Sequence, residues 1–278
     1  QMNVLDKNGL LALYLKRRYH IPYFIIEHWS GYLPANFAFR GGWHGWIMRH
    51  IAKHSNGIMP VSNVLKNAMQ TCGIENAHWQ KINNVVDDFF YAPYTKLIRA
   101  KKRLLHVSCF DDKAKNVKGL LQATRKVAEK RQDFELVLVG TGVDFEAVKT
   151  YADSLQFPDE MLLFTGEKTP TQVCQWMQQS DAFVLFSRYE TAGVVLAECL
   201  AVGLPIIGAN AGAIPEVVNA QTGMLVPSED ENALANAISF MLDHYQEYNT
   251  ALIREQGKQY SFATIGQQLI SLYENHIS

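Results

Sequence analysis

Asp181-Ala-Phe-Val-Leu-Phe186, then Ser187-Arg-Tyr-Glu-Thr-Ala-Gly193, then Val194-Val-Leu-Ala-Glu-Cys-Leu-Ala-Val202 is the stretch that decides the fold. The first run is apolar without alternation, as expected of a strand buried on both faces of a parallel sheet. A polar loop carrying Glu190 follows, and a helix opens near Gly193 with small and β-branched residues. Within that helix Glu198 interrupts an otherwise apolar sequence, and such a carboxylate is costly to bury unless something hydrogen-bonds it. A strand-loop-helix turn also leaves backbone N–H groups free, which suits an anionic ligand. The turn is therefore expected to hold a phosphorylated ligand, with a carboxylate on each side of it.

The same alternation extends outward from this stretch. Strands are predicted at 103–108, 134–139, 161–164, 182–186, 204–208 and 223–227. Helices lie between most of them: one capped by Asn116, one ending near Leu155, one starting at Thr169 or Thr171, and a short one at Ile214. Further helices run from about Glu229 to the terminus. Short links between alternating elements predict a parallel sheet covered on both faces. Ligands bind such sheets at the carboxyl ends of the strands, so loops 108–115, 140–142, 166–168 and 187–193 are expected to share one edge.

The first part of the chain repeats the pattern less completely. A helix is predicted at 9–15 and an apolar strand at 21–27, ending in the loop His28-Trp-Ser-Gly-Tyr-Leu-Pro34. A helix at 43–54, a short strand at 57–61, a helix capped by Ser62 and a strand at 79–83 follow. This reads as half of a doubly wound domain without its opening strands, and a segment preceding Gln1 is expected. The domains are predicted at 1–99 and 100–260, with 261–278 a helix crossing back to the first.

A chain of 278 residues can bury a sizeable core in about two domains. Its formal net charge of -1 gives no electrostatic reason to expect nucleic acid. Cys72, Cys109, Cys174 and Cys199 are scattered, as in a reducing compartment, and no apolar run approaches the ~20 residues of a membrane span. A cytoplasmic protein is the reading. In the helix at 43–54, Trp43, Ile47 and Ile51 form one stripe beside Arg49 and Lys53, so peripheral contact with an anionic membrane stays open. Packing of the same helix on the sheet is the plainer reading.

The ordered set Ser187-x-x-Glu190-x-x-Gly193-x-x-x-x-Glu198, Ala201-Val-Gly-Leu-Pro205 and Gly212-Ala-Ile-Pro-Glu216 resembles the donor-site signature of the family 4 glycosyltransferases. These are retaining enzymes of the GT-B fold, with two Rossmann-like domains of doubly wound parallel sheet. The resemblance takes in Gly140-Thr-Gly142, Phe164-Thr-Gly166, Gln221-Thr-Gly-Met-Leu-Val-Pro227 and Asn83-Asn-Val-Val-Asp87…Phe90, the last looking like the family's interdomain crossover. It covers the chain from about Tyr19, more loosely before Ser62.

The resemblance implies a site. Glu190 would contact hydroxyls of the transferred sugar, and Thr191, Ala192, Gly193 and Val194 would offer backbone N–H groups to the diphosphate. Glu198 would accept from the ribose, while Gly166, Glu167 and Lys168 would frame the base. Lys115 matches the family's phosphate lysine, and His28 its cleft histidine beside the reacting sugar. The family commonly has an arginine near Cys109 that this sequence lacks; Lys113 could supply a point charge there without the arginine fork. Ser108-Cys-Phe110 fits a family variant of this loop. Taken singly, Glu190 and the two lysines also read as solvated loop residues, and His28 as a structural strand-end histidine. The histidines have no metal-ligand spacing, and neither a metal nor any other cofactor is expected. The implied reaction transfers a hexosyl group from a nucleoside diphosphate sugar to a hydroxyl of a glycan or lipid-linked glycan, as in polysaccharide biosynthesis. A non-catalytic nucleotide-sugar-binding module and a GT-B nucleotide-sugar epimerase are the alternatives.

Overall fold

The computed structural model describes residues 1–277 and divides into two units. One is Gln1–Val85 together with the helix that begins at Phe262, and the other is Val86–Ser261.

In the first unit, β1 (Met2–Asn3), α1 (Gly9–Tyr19), β2 (Phe24–Glu27), α2 (Gly42–His54), β3 (Gly57–Pro60) and α3 (Asn63–Thr71) alternate. The strands form a parallel sheet in the order β1-β2-β3. Every residue of β3 is buried, as a strand covered on both faces must be. Ser62 caps α3 as expected, its hydroxyl accepting from Leu65 N at 3.1 Å.

Three expectations change here. β1 is too short to leave a sequence pattern. The strand expected at 79–83 is a single bridge, Ile58 to Trp79. Gln80 N and Ile82 N donate to Ile58 O and Pro60 O, but Pro60 has no N–H to return, so the ladder cannot continue. On α2 the supposed stripe splits: Ile51 is fully buried, while Trp43, in the first turn, is 74% exposed.

The second unit runs β4 (Lys102–Val107), α4 (Asp112–Lys115), α5 (Val117–Ala128), β5 (Phe134–Val139), α6 (Phe145–Ser154), β6 (Leu162–Gly166) and α7 (Pro170–Gln178). It continues with β7 (Ala182–Leu185), α8 (Val194–Val202), β8 (Ile206–Ala209), β9 (Gly223–Val226), α9 (Glu231–His244) and α10 (Thr250–Gly257). The six strands make one parallel sheet, β6-β5-β4-β7-β8-β9. Thr169 caps α7 through a reciprocal capping box with Gln172. Residues 86–99 fall in this unit: Phe90 is buried in its core, and Val86 N donates to Tyr260 O at 2.9 Å. The last helix, α11 (Phe262–Ile277), belongs to the first unit, where Ile265 and Leu272 pack with Phe24, Met59 and Ile82.

Strand order reverses between β4 and β7. Their ladder consists of Leu104 with Ala182 and Leu105 with Phe183. Past it these two strands are no longer paired, and this switch point is where open parallel sheets bind ligands.

Candidate donor-site turn

The loops at this edge approach one another at distances that only glycine permits. A Cβ on Gly140, whose φ is +127°, would lie 1.9 Å from Ser108 O. One on Gly212, at φ +53°, would lie 2.3 Å from Glu190 O. Backbone bonds tie the loops together: Phe110 N to Thr141 O, Gly140 N to Gly166 O, and Ala213 N to Glu190 O. The expected shared edge is present, joined by the loop after β8.

Where the β4–β7 ladder stops, a side chain takes its place. His106 is fully buried; its Nδ1 bonds Val184 O at 2.9 Å and its Nε2 bonds Ser108 Oγ at 2.7 Å. A carbonyl only accepts, so Nδ1 carries the proton and the Ser108 hydroxyl donates to Nε2. Burial pushes the His106 pKa down to about 4, and the Lys115 charge adds to the shift. The imidazole is neutral at neutral pH and fixes Ser108 at the carboxyl end of β4.

Lys115 and Glu190 form an ion pair, with their side chains 17% and 11% exposed. Glu190 Oε1 also accepts from the hydroxyl of Ser187, a fully buried residue, at 3.1 Å. Immediately beyond, Gly193 takes φ +64° as the N-cap of α8 and its carbonyl accepts from Leu196 N at 2.8 Å. Among the described residues, the backbone N–H groups of Thr191, Ala192, Gly193, Val194 and Val195 have no acceptor. The first N–H groups of a helix have no partner inside it, and such a turn suits an anionic ligand.

Glu198 lies one turn further along α8 and is half-buried. Burial pushes its pKa up to about 7, with the Asp87 charge adding to the effect. The Cys174 thiol nearby is raised to about 11, so it is neutral. Gly166 sits at φ +70° with open space where a Cβ would be. Glu167 is exposed, and Lys168 Nζ folds back to Thr165 O at 2.5 Å.

His28 belongs to the first unit and is exposed at the end of β2. Its turn is built on Glu27, a fully buried residue whose carboxylate accepts from Leu5 N, His28 N and Trp29 N at 2.8, 2.9 and 2.8 Å. The structure thus joins Lys115, Glu190 and the 191–194 turn directly and links Gly166 to the same edge. Glu198 has Asp87 and Cys174 beside it.

Sequence reasoning missed His106, the role of Ser187 and that of Arg188. A histidine inside a strand and a serine directly after one were the available signals. The loop at 108–115 also contains a helical turn, α4, capped by Asp111, and Lys113 on it is exposed. Asn116 makes no cap bond to α5; it has φ +50°, and its Oδ1 accepts from Arg188. Among the described residues no three His, Cys, Asp or Glu side chains form a metal-ligating group. No described helix is long and apolar enough to cross a membrane.

Comparison with known proteins places this geometry. An N-acetyl-alpha-D-glucosaminyl L-malate synthase of Bacillus anthracis is 29% identical over 238 residues, covering 82% of this chain and 61% of its own length. The chain therefore spans less than two thirds of that relative. Sucrose-phosphate synthase from Thermosynechococcus elongatus superposes with a TM-score of 0.83 at 20% identity, over 98% of this chain and 72% of that one. Anabaena HepE, solved in complex with UDP and glucose, gives a TM-score of 0.80 at 18% identity, over 96% and 75% of the two chains. These likenesses establish the GT-B fold. The profile of the family described as glycosyl transferases group 1 matches residues 95–259, more than half of the chain. The chain belongs to the group 1 glycosyltransferases.

Proposed function

We propose that the chain works as a retaining hexosyltransferase, moving a hexosyl group from a nucleoside diphosphate sugar to a hydroxyl of a glycan or lipid-linked glycan. The observation that carries this reading is the Lys115–Glu190–Ser187 cluster beside five backbone amides that have no acceptor among the described residues. A helix N-terminus carries about half a positive charge, worth ~0.3–1 kcal/mol, which is too little for a diphosphate leaving group. Lys115 supplies the fixed cation. The HepE complex with UDP and glucose supports a nucleotide-sugar donor.

In this reading the amides of Thr191, Ala192, Gly193 and Val194 bind the diphosphate, and Glu198 accepts from the ribose. Gly166, Glu167 and Lys168 frame the base. Donor binding redirects Lys115 from Glu190 to the phosphate and frees Glu190 for the sugar hydroxyls. The bond between the anomeric carbon and the phosphate oxygen breaks, and its electron pair leaves with the diphosphate toward Lys115 and the amides. The oxocarbenium-like sugar is steadied by Glu190. The acceptor oxygen bonds the same face, its proton passing to the departing phosphate oxygen, so the configuration is kept. His28 is assigned to the reacting sugar, and no metal is assigned to any step.

Radiolabelled nucleotide sugars test the reading. Transfer or slow hydrolysis supports it; failure of every nucleotide sugar to bind or react overturns it. Binding without turnover would favour a binding module, the reading that the missing arginine near Cys109 supports. An epimerised product would identify an epimerase. A cytoplasmic location with peripheral membrane contact through α2 is part of the proposal. Trp43 and Trp46 stack there with ring centroids 5.0 Å apart and are 74% and 53% exposed. Absence of flotation with anionic liposomes at low salt would remove the membrane contact.

A further inference from the structure

Arg188 follows Ser187 in the donor loop, yet its guanidinium is engaged with the neighbouring loop. Its Nη1 donates to Asp112 O at 2.5 Å and to Lys113 O at 3.4 Å, and its backbone N–H donates to Ala114 O at 2.8 Å. Nη2 donates to Asn116 Oδ1 and Nε to Glu229 Oε1, both at 2.7 Å. The three carbonyls belong to α4, the helical turn that ends at Lys115. Asp112 O also accepts from Asn116 N at 3.0 Å, while Lys113 O and Ala114 O lie at the helix end, where carbonyls have no partner inside the helix. Arg188 therefore caps α4 from another loop. Asn116, 2% exposed and left-handed, turns its amide oxygen to the same guanidinium.

We propose that Arg188 is a positioning residue that couples the phosphate lysine to the sugar-side glutamate. By holding α4 against the donor loop it sets the Lys115 ammonium relative to Glu190 and the 191–195 amides. This rests on the reading of the turn as a diphosphate site. It also accounts for a loop that lacks an arginine near Cys109: the guanidinium comes from Arg188 and acts on the position of Lys115. Four of its five guanidinium N–H donors go to protein acceptors, so its main role is to hold α4 rather than to bind phosphate. Lysine could replace one of these bonds but lacks the planar fork that makes several at once.

The test compares Arg188→Met and Arg188→Lys with the wild-type 278-residue chain, titrated with UDP and uridine and, in parallel, with GDP and guanosine. The nucleoside probes the site without its phosphates. Arg188→Met is expected to weaken diphosphate binding about tenfold while leaving nucleoside affinity within about twofold, with Arg188→Lys in between. Hydrogen exchange of residues 112–116 should rise in Arg188→Met, with the rest of the unit unchanged. Equal weakening of nucleoside and diphosphate would overturn the proposal by assigning Arg188 a general structural role, as would unchanged exchange at 112–116. If Arg188→Met does not fold, the same criteria apply to Arg188→Lys. A wild-type chain that binds neither diphosphate would overturn the site reading and this inference with it; wild-type binding with an unaltered variant would overturn the inference alone.

Discussion

Two turns at the carboxyl ends of parallel strands use the same backbone groups in opposite ways. After β2, the amides of Leu5, His28 and Trp29 converge on Glu27, which closes the turn from within. After β7, the amides of 191–195 have no acceptor among the described residues, and Glu190 is engaged with Lys115 and Ser187 instead. One turn carries its own acceptor, a buried carboxyl group. In the proposed reading the other takes an external anion, with a lysine beside it held by a carboxylate that the ligand would displace. Counting amides therefore separates a structural turn from a binding turn where the local strand-loop pattern does not.

Breaking the open turn should cost the most in function. Lys115→Ala is expected to slow transfer about 10²–10³-fold, the scale seen when one charge-stabilising group is removed, with little change in melting temperature. Breaking the closed turn should cost stability instead. Glu27→Ala leaves three amides without their acceptor, and roughly 3 kcal/mol of unfolding free energy should be lost, read from urea titration.

The comparison sharpens with pH. In the proposed reading ribose hydroxyls donate to an ionised Glu198, whose pKa of about 7 leaves it half-protonated near neutrality. Affinity for a nucleotide sugar, whose esterified diphosphate does not titrate here, should rise about tenfold from pH 6 to 8, with proton release on binding. Glu198→Gln should flatten this profile. In the unliganded chain the sign reverses: a raised carboxyl pKa stabilises most below the ordinary glutamate value of 4.5, and that contribution is lost as pH rises through about 7. The smallest expected effect is none, since EDTA should leave transfer unchanged.

The strands and helices of the second unit were legible because two-sided burial writes continuous apolar runs and because Gly193 and Thr169 mark helix starts through local chemistry, as Ser62 does in the first unit. The bridge at Trp79 was not, since it depends on what Pro60 cannot donate. Nor were α4 and the left-handed Asn116, whose partner Arg188 lies some seventy residues away in sequence. Glu190 and Lys115 could be named from motif and spacing, but their direct pairing could not. His106 was unreadable for the same reason: its role is to replace a ladder bond between strands that the sequence does not show to be neighbours.

The most direct test of the open turn is residue-resolved amide exchange at Thr191, Ala192, Gly193, Val194 and Val195 with and without saturating UDP. Strong protection of these amides on binding, with those of Leu5, His28 and Trp29 unchanged, is the predicted result. UDP binding that leaves residues 191–195 exchanging as in the free chain would contradict the account.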